Sequence, residues 1–551
     1  MIIKIIEQLL TDAAESAQKT GKLPLFALPE LAIEWPQNLE HGDYASSLPL
    51  KMARSAGLDP YKIAEILREE ISETQEIESV SVAPPGFLNF KMDPSWMRSQ
   101  IHDILLKDST FGNSDIGHGQ TVQVEFVSVN PTGPIHVGHG RGAVLGSTLA
   151  NLLSATGHSV QKEYYINDAG NQIDNFARSI WVRYMQSLGL EAEMPEGGYL
   201  GQYIVELGEE LARENGDKFI KDDPDTLNDI SQMSMEKMLN NIRTDLSEVK
   251  VGFDLWFSEQ SLFEDKIYDK AINLLKENGH TAEREEALWF TGSLLGDNRD
   301  SVLVRRTGAP TYFASDIAYH YDKFINRKFD RVINIWGADH QGHVPRMNAV
   351  MEALGVDKNK LEVILVQLVT LKKNGTTLKV SKRTGDILTL SEVVEEVGAD
   401  SCRYFFLSRS PDSQMEFDMD LAKKEAPENP VYYIQYAYAR IASILRDTPR
   451  DLTKTSSSNG KLLVEPEEEN LIRQMVRFPE IIESAAKTLE PHHLTHYTLS
   501  LASDFHEFYA KHRVLGIEKE LSLARIDLIK ATQIVLRNAL TLMGMTIPEK
   551  M

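Results

Sequence analysis

Two histidines, His136 and His139, lie close together in the segment Asn130-Pro-Thr-Gly-Pro-Ile-His-Val-Gly-His-Gly-Arg-Gly142. This segment follows a β-rich apolar run and precedes leucines at helical spacing, so it predicts a turn that opens a helix. The free backbone N–H groups and the positive end of such a helix bind anions such as phosphate. Gly138 lets the backbone approach a ligand closely, and residues one turn apart face the same side. The pattern therefore indicates a phosphate site that two imidazoles face.

Other interpretations of this segment stay open from the residues alone. The two histidines could bind a metal ion, although the sequence offers no convincing third ligand, and the glycines could be packing residues. A dinucleotide site is the sharper alternative, because Gly138-x-Gly140-x-x-Ala143 fits the loose G-x-G-x-x-G/A fingerprint and Glu163 lies near the expected ribose-binding position. A lone fingerprint is weak evidence, and it leaves both histidines unexplained.

A second group of reactive side chains lies much later in the chain, in a stretch that also contains glycine. Its basic residues, with no acidic residue among them, are Lys372, Lys373, Lys379, Lys382 and Arg383. In a chain of net charge −23 this is a local reversal of sign. Such a loop can close over a polyphosphate and stabilise the charge that develops on it. The alternative is a solvated basic hairpin tip.

The elements around these two groups predict a parallel sheet. A strand at 121–127, a helix from about 139 to 156 and a strand at 160–166 form a βαβ unit. Further strands are expected at 301–305, 312–314, 332–336 and 361–369. The acidic stretch at about 190–300 is predicted to be a mostly helical insertion into this domain.

The two ends of the chain predict domains of their own. The N-terminal residues combine helices with a hairpin, 77–82 and 87–91, turned at Pro84-Pro85-Gly86. The breaker-rich loop 111–119 marks a boundary, and beyond Ser391 the pattern is mainly helical. We therefore expect a multidomain α/β protein with an α+β N-terminal domain, a parallel-sheet domain with an insertion and an all-α C-terminal domain. The expected domains are 1–112, 113–395 (insertion about 190–300) and 396–551.

The composition is that of an acidic globular protein. Its 551 residues carry 58 Lys and Arg against 81 Asp and Glu. The one cysteine, Cys402, excludes a disulfide framework and a multi-cysteine zinc site. No window approaches the ~20 apolar residues that a membrane helix needs, so a cytoplasmic protein without a membrane partner is expected. Taken globally, the acidity argues against a nucleic-acid partner.

Together, the two reactive groups resemble the signatures of class I aminoacyl-tRNA synthetases, whose usual forms are His-Ile-Gly-His and Lys-Met-Ser-Lys-Ser. Here they stand as His136-Val-Gly-His139 and Lys379-Val-Ser-Lys382-Arg383. Valine replaces Ile and Met, and Arg383 replaces the final Ser, but no departure removes a charged or imidazole group. Each motif alone is unspecific, whereas the pair is specific.

Further stretches narrow the resemblance to the arginyl-tRNA synthetases. They are His41-Gly-Asp-Tyr-Ala45, Pro85-Gly-Phe-Leu-Asn-Phe90, Val127-Ser-Val-Asn-Pro-Thr-Gly-Pro134, Asn167-Asp-Ala-Gly-Asn-Gln172, Trp336-Gly-Ala-Asp-His-Gln-Gly342, Gly398-Ala-Asp-Ser-Cys-Arg403 and Asn429-Pro-Val-Tyr-Tyr-Ile-Gln-Tyr-Ala-Tyr-Ala-Arg440. The resemblance covers nearly the whole chain, and residues 190–300 and 450–465 match it least.

This resemblance implies a Rossmann-like class I catalytic domain, an additional tRNA-binding domain at the N-terminus and a helical anticodon-binding domain at the C-terminus. It implies ATP-dependent ligation of L-arginine to tRNA(Arg) through arginyl-adenylate, with release of AMP and pyrophosphate. The family needs bound tRNA before it activates the amino acid. Mg²⁺ accompanies the ATP, no structural metal is expected, and we expect a monomer.

The resemblance also assigns roles residue by residue. The expected catalytic residues are His136, His139, Lys379 and Lys382. The expected ATP-binding residues are His136, Gly138, His139, Ser381 and Lys382. The expected arginine-binding residues are Glu125, Asn130, Tyr312, Asp316 and His340, of which Glu125 and Asn130 match residues that hold the ammonium and carboxylate ends of the substrate. The expected tRNA-binding residues are Tyr432, Tyr436, Arg440, Tyr509, Arg513 and Met551.

Two of these assignments also have a physical reason. A guanidinium stays charged, and its planar fork is best met by a carboxylate, which suits Asp316. The alternative for Asp316 is a helix N-cap before Ile-Ala-Tyr-His. Aromatic side chains and arginine suit unstacked anticodon bases, although Tyr432 and Tyr436 at i, i+4 also fit core packing.

Three alternative functions can be compared with the ligation of arginine to tRNA. A synthetase for another amino acid conflicts with an acid at Asp316. A nicotinamide-dependent oxidoreductase would use Gly138–Ala143, and a non-catalytic tRNA-binding relative conflicts with the intact histidines and Lys382. Acidic residues concentrate at 206–229 and 465–469, so tRNA is expected to meet a restricted basic track on an acidic body.

Overall fold

The computed structural model describes residues 2–36, 38–169, 171–378, 388–449, 452 and 460–551. The core of the basic loop, 379–387, lies outside these described residues. Lys379, Ser381 and Lys382 therefore keep only the roles that the sequence predicts for them.

The N-terminal region joins helices to a small antiparallel sheet. Its elements are α1 (Ile2–Lys19), β1 (Ile33–Glu34), β2 (Tyr44–Ser46), α2 (Leu48–Ala56), α3 (Pro60–Glu70), β3 (Ile77–Ala83), β4 (Phe87–Met92) and α4 (Pro94–Lys107). The strands pair in the order β1–β2–β4–β3. Asp59 and Asp93 begin α3 and α4 by accepting hydrogen bonds from backbone N–H groups of the first turn. The predicted hairpin of β3 and β4 is confirmed.

The central region is built on a parallel sheet. Its elements are β5 (Thr121–Glu125), α5 (Val137–Ala155), β6 (Ser159–Ile166), α6 (Asn171–Ser187), α7 (Gln202–Asn215), α8 (Pro224–Glu248), β7 (Leu255–Ser258), α9 (Ser261–Glu264), α10 (Ile267–Glu277), β8 (Thr281–Arg284), β9 (Ala287–Phe290), β10 (Ser301–Val304), α11 (Tyr312–Tyr321), β11 (Arg331–Gly337), α12 (Val344–Ala353) and β12 (Leu361–Val366). The parallel strands run in the order β12–β11–β5–β6–β7. The predicted βαβ unit of β5, α5 and β6 is confirmed, and the carboxyl ends of all these strands meet at one edge.

Three expectations for this region were wrong. Residues 255–258 lie in the predicted insertion, yet they form β7 and pair in parallel with β6. A strand of four residues is too short for its pattern to stand out in an acidic stretch. Residues 312–314 begin α11 and are not a strand, because the Thr311 side chain accepts a hydrogen bond from Ala314 N and caps a helix there. Strand β10 pairs with β9 in a separate antiparallel sheet.

The C-terminal region is mainly helical, as predicted. Its elements are β13 (Val369–Lys373), β14 (Thr376–Thr377), α13 (Leu390–Val397), α14 (Ala399–Leu407), β15 (Met415–Asp418), α15 (Met419–Ala422), α16 (Pro430–Arg446), α17 (Pro466–Thr488), α18 (His492–Lys511) and α19 (Lys519–Leu542). The predicted strand at 361–369 is divided between β12 and β13. Strand β15 is an exception to the helical pattern, because it pairs in parallel with β13.

The N-terminal region docks on the C-terminal helices through buried polar groups. Glu480 of α17 accepts hydrogen bonds from Ile3 N at 3.0 Å and from the Tyr44 hydroxyl at 2.9 Å. Both ends of the chain are therefore held around the sheet domain. Among the described residues, no helix combines the length and apolarity needed to cross a membrane.

Candidate active site

A cleft of about 1960 Å³ opens at the carboxyl edge of the parallel sheet. Segments that follow β5, β6, β11 and β12 line it, together with the start of α11 and parts of α7 and α8. The sequence-predicted residues that line it are Asn130, His136, Gly138, His139, Tyr312, Asp316 and His340. The fold therefore brings the expected ATP and arginine residues of the described chain into one space. The exception is Glu125, which lies beneath the floor of the cleft.

His136 and His139 face the same part of the cleft, at the N-terminal end of α5. The His136 side chain is the helix cap, since its Nδ1 accepts a hydrogen bond from Gly138 N at 3.1 Å. The two ring centroids are 3.5 Å apart. The two imidazoles and the helix N-terminus thus lie side by side, an arrangement that suits an anion. The phosphate contact itself stays a prediction.

The segment that follows the basic loop is anchored beside this histidine pair. Leu390 N donates to Ile135 O at 2.9 Å, and Val137 N donates to Leu388 O at 3.3 Å. At the other end of the loop, Lys372 and Lys373 extend from β13. They pair with acids elsewhere in the fold, Glu416 at 3.0 Å and Glu396 at 2.7 Å. The described residues on either side of the basic loop are therefore held by contacts within the fold, and Leu388 and Leu390 lie beside the histidine segment.

Asp316 lies in α11, in a part of the cleft that is rich in carboxylates. It is not the N-cap of this helix, which was the alternative interpretation, because Thr311 occupies that position. Burial raises the pKa of Asp316 to about 7, and the nearby carboxylates of Glu125 and Glu259 add to the effect. The ionised form of a carboxyl group with a raised pKa is stabilised most by a ligand that carries a positive charge. Tyr312, 47% exposed, stands at the mouth of the cleft one turn before it.

Glu259 is a cleft acid that the sequence analysis missed. It directly follows β7, is 3% exposed, and lies within hydrogen-bonding contact of Tyr165 and Ser315. Burial raises its pKa as well. The missed signal was an acid placed immediately after the β-rich run Leu255-Trp-Phe-Ser258, which was assigned to the helical insertion. Glu259, which is buried, and Asp316, which is half-buried, thus bring two acids close together in the cleft.

Glu125 is held from below by a buried cation. Lys323, fully buried, donates from Nζ to Glu125 Oε2 at 2.6 Å and to Asn334 Oδ1 at 3.1 Å. Ser128 Oγ donates to the other carboxylate oxygen of Glu125 at 3.1 Å. Both carboxylate oxygens of Glu125 therefore already accept hydrogen bonds before the predicted contact with the substrate ammonium is made. That contact stays a prediction.

The same network fixes the tautomer of a neighbouring histidine. Asn334 Nδ2 donates to His320 Nε2 at 3.0 Å, so the proton of His320 sits on Nδ1, which donates to Asp316 O at 2.8 Å. Burial lowers the pKa of His320 to about 3. A neutral imidazole therefore supports the backbone of Asp316 from inside the sheet.

Glu163, the expected ribose acid of the dinucleotide alternative, is not available to a nucleotide. It is fully buried and accepts a hydrogen bond from Arg327 Nη2 at 2.9 Å and one from the Tyr319 hydroxyl at 2.5 Å. Its carboxylate therefore neutralises an internal arginine. The fingerprint Gly138–Ala143 is a helix start without the acid that a dinucleotide site needs.

Asn130 and His340 both line the cleft, after the neighbouring strands β5 and β11. Asn130 Nδ2 donates to Gln172 Oε1 at 2.6 Å, which orients its amide. His340 lies in a short 3₁₀ turn, Ala338–His343, after β11, and its ring is 6.2 Å from that of Trp336. Both positions fit substrate contacts, and their roles stay predictions.

The predicted tRNA-binding tyrosines lie on the surface of the C-terminal helices. Tyr432 and Tyr436 are only half-buried, with stacked rings 6.0 Å apart. Arg440 lies over the rings of Tyr436 and Tyr509, at 5.2 and 5.5 Å from their centroids. These four residues form a continuous aromatic and arginine surface, hereafter the aromatic surface. Core packing therefore does not account for Tyr432 and Tyr436.

The remaining two tRNA candidates, Arg513 and Met551, are exposed. Nothing in the described contacts of these two residues joins them to the aromatic surface. Their role in tRNA binding stays a prediction.

Three family profiles match successive parts of the chain. The "Arginyl tRNA synthetase N terminal domain" matches residues 2–92, "tRNA synthetases class I (R), catalytic domain" matches residues 100–417, and the "DALR anticodon binding domain" matches residues 434–551. The three profiles follow the chain in the same order as the N-terminal, parallel-sheet and helical regions, and the catalytic profile also covers part of α4 and the elements from β13 to β15.

Similar proteins match over the full length of the chain. It is 52% identical over 551 residues to the arginine–tRNA ligase of Dehalococcoides mccartyi, covering 100% of this chain and 99% of that protein. It is 46% identical over 547 residues to the arginine–tRNA ligase of Moorella thermoacetica, covering 98% of each. Its fold is similar to that of Thermus thermophilus arginyl-tRNA synthetase, with a TM-score of 0.77, 21% identity and 100% of both chains covered. On these matches, this chain belongs to the arginyl-tRNA synthetase family.

Proposed function

We propose that this protein ligates L-arginine to tRNA(Arg) at the expense of ATP. The observation that carries the proposal is the pairing of two kinds of site in one cleft. At one end, His136 and His139 sit at a helix N-terminus suited to phosphate. In the same space, Asp316 and Glu259 form an acid pair suited to a guanidinium.

In the first step, a carboxylate oxygen of arginine attacks the α-phosphorus of ATP and pyrophosphate leaves, which forms arginyl-adenylate. ATP enters as its Mg²⁺ complex. The protein performs little covalent chemistry in such a step, so positioning and neutralisation of charge supply most of the rate. His136 and His139 donate to the phosphate oxygens, and Gly138 leaves room for them.

Lys379, Ser381 and Lys382 complete the nucleotide site from the basic loop. The loop is tied to the histidine segment through Leu388 and Leu390, which supports this assignment. The ammonium groups of Lys379 and Lys382 neutralise the departing pyrophosphate. Loss of one such donor typically slows the reaction about 10²–10³-fold.

Arginine binds with its guanidinium towards Asp316 and its α-amino acid end towards the phosphate site. Asp316 has a raised pKa in the empty cleft, and the incoming cation stabilises its ionised form. Tyr312 lies alongside the guanidinium, and Asn130, Glu125 and His340 contact or orient the other end. Lysine, with a single rotatable ammonium, cannot offer the planar fork that two hydrogen bonds to one carboxylate require.

In the second step, the 2′-hydroxyl of the terminal adenosine of tRNA attacks the arginyl carbonyl carbon and AMP leaves. The aromatic surface binds anticodon bases, with Arg513 and Met551 as further contacts. Residues 1–112 add a tRNA contact, and 113–395 and 396–551 remain our proposed catalytic and anticodon-binding domains. We also propose that the protein acts in the cytoplasm as a monomer.

Exchange of labelled pyrophosphate into ATP tests this function directly. The assay uses each of the common amino acids in turn, with and without tRNA(Arg). We expect exchange with arginine alone, and only when tRNA is present. Exchange with another amino acid would assign a different specificity, and NAD binding without any exchange would favour the oxidoreductase.

A further inference from the structure

A cluster of histidines lies far from the cleft, at the corner between α17 and α18. Glu490, His492 and His493 each offer a ligand-type atom, and these atoms all lie within 4.8 Å of one another. The rings of His492 and His493 are 4.3 Å apart, and His493 Nε2 lies 3.1 Å from Glu490 Oε2. The function proposed above uses none of these side chains.

A third imidazole stands one helical turn further along α18. The ring of His496 is 5.7 Å from that of His492, the i, i+4 spacing at which two histidines of a helix can bind one ion. His496 Nε2 donates to Ser408 O at 3.1 Å. Since the carbonyl oxygen can only accept, the proton of neutral His496 is on Nε2, and the lone pair of Nδ1 is left for another partner.

His492 carries a second, independent sign of a ligand. Its Nδ1 is buried, and among the described residues it has no hydrogen-bond partner. A buried polar atom without a partner is costly, and an ion is one of the groups that satisfy it.

We propose that Glu490, His492 and His493 bind one divalent transition-metal ion of the zinc, nickel and copper class, with His496 as the fourth ligand. Two or three imidazoles with one carboxylate suit these ions, whereas Mg²⁺ and Ca²⁺ prefer oxygen ligands alone. Bonds of about 2.0–2.2 Å require the donors to approach more closely than they do without an ion. Rotation of the partly exposed rings of His492 and His493 supplies that approach. The negative charge of Glu490 offsets the unfavourable dipole at the helix N-terminus.

A metal ion at this position connects two parts of the fold. His496 contacts the loop that contains Ser408, Ser410 and Ser413, and the carbonyls of Ser410 and Ser413 accept hydrogen bonds from the buried Arg141 at 2.8 and 2.9 Å. Arg141 belongs to α5, the helix that begins at the histidine pair of the cleft. A bound ion therefore joins the C-terminal helices to the loop that supports α5, and it should raise the thermal stability of the whole chain.

Zinc titration of the metal-free, full-length protein against a chromophoric chelator tests the proposal. The double variant His492→Ala/His493→Ala should lose one equivalent of zinc and the zinc-dependent increase in melting temperature. The matched control is His118→Ala, which removes a histidine that also lies near an acid three residues away, Asp115 at 3.7 Å, but belongs to no group of three possible metal ligands among the described residues. This control should bind zinc as the wild type does.

A milder variant separates loss of the site from loss of the fold. His493→Gln keeps a polar side chain of similar size and should weaken zinc binding while the melting temperature without metal stays that of the wild type. Zinc binding that is equal in the wild type and the double variant would place the ion elsewhere in the chain and overturn the proposal. So would the absence of saturable binding in the wild type. Neither result depends on aminoacylation activity.

Discussion

Lys323 is fully buried and places its ammonium 2.6 Å from Oε2 of Glu125, whose side chain is only 10% exposed beneath the cleft. The ammonium also lies 4.0 Å from the centroid of the Tyr319 ring. A π-helical turn, Asp322–Asn326, follows α11 and carries Lys323 to the sheet. Such turns often occur at functional sites. Lys323 is thus the internal counter-charge of a cleft that is otherwise rich in carboxylates.

Replacement of Lys323 by Met should weaken arginine binding more than ATP binding. It leaves Glu125 as an uncompensated buried charge, and loss of one partner of a buried pair typically costs about 3–5 kcal/mol. Glu125 will then take up a proton or turn away from its position, and its predicted contact with the substrate ammonium is lost. Separate measurement of the arginine and ATP KM values checks this.

Lys323→Arg is the matched control, because it keeps the positive charge. It should recover part of the arginine affinity that Lys323→Met loses. An equal rise of both KM values in Lys323→Met, without recovery by Arg, would mean that Lys323 supports only the fold.

Asp316→Asn should raise the arginine KM and leave the ATP KM nearly unchanged. The amide keeps the shape of the side chain but loses the charge that meets the guanidinium. Loss of one partner of a buried charged pair costs about 2–5 kcal/mol, so the arginine KM should rise about 30-fold or more. Steady-state pyrophosphate exchange with varied arginine, then varied ATP, gives both constants.

The control for Asp316→Asn is Glu206→Gln, which neutralises an exposed acid on another wall of the same cleft. Its arginine KM should stay within a few-fold of the wild-type value. If the two variants change the arginine KM equally, a general field of the acidic cleft, not a specific contact, holds the substrate.

Asp316→Asn should also stabilise the enzyme without bound substrate at alkaline pH. The folded pKa of Asp316, about 7, lies above its unfolded value of about 3.9. Between these values the folded chain binds the proton more strongly, so the contribution of Asp316 to stability falls as pH rises, by about 1.4 kcal/mol per unit. Above pH 7 the loss is complete. Urea denaturation should therefore show a larger gain for Asp316→Asn at pH 8 than at pH 5, and an equal gain at both would contradict the raised pKa.

The sequence predicted that the two cleft histidines lie side by side, because that signal is local. His136 and His139 lie within one helical turn, so spacing alone places both rings on one side. Asp316 could be proposed as the guanidinium partner, but its competing role as an N-cap was settled only by the position of Thr311. That choice depends on one hydroxyl and one backbone N–H, which no periodicity reveals.

The partners of buried charges could not be predicted, because they are distant in the chain. Lys323 meets Glu125 across 198 positions, and Arg327 meets Glu163 across 164. Sequence alone makes Glu163 a candidate ribose ligand, whereas the folded chain makes it the partner of an internal arginine. Glu259 was missed for a related reason, since the strand that presents it is too short to be recognised.

Glu163→Gln should lower stability without changing either substrate constant. Contacts with Arg327 and Lys323 lower the pKa of Glu163 in spite of its burial. A carboxylate with a depressed folded pKa contributes stability above its unfolded pKa of about 4.3 and loses it as pH falls through the folded value. Removal of its charge takes one of two carboxylate partners from Arg327, which is partly exposed and keeps its ion pair with Asp322 at 2.7 Å. The cost should therefore lie below the about 3–5 kcal/mol that is typical of breaking a fully buried pair.

Urea denaturation of Glu163→Gln at pH 7 and pH 3 measures this cost. The difference from the wild type should be large at pH 7 and smaller at pH 3. A raised ATP KM with unchanged stability would instead return Glu163 to the nucleotide site.

Arg440→Ala should weaken tRNA binding without changing its dependence on salt. Arg440 lies between the rings of Tyr436 and Tyr509, a geometry that presents flat surfaces to bases and does not reach towards phosphates. Loss of such stacking costs about 1–3 kcal/mol per base, which is about 5- to 150-fold in affinity. A lost phosphate contact would also reduce the slope of log affinity against log salt by about one.

Arg446→Ala is the control, because it removes an exposed arginine at the end of the same helix. It should change neither the affinity for tRNA nor the salt slope. Titration of labelled tRNA(Arg) at several salt concentrations separates the two cases. A reduced slope for Arg440→Ala would mean that the aromatic surface binds the tRNA backbone and not its bases.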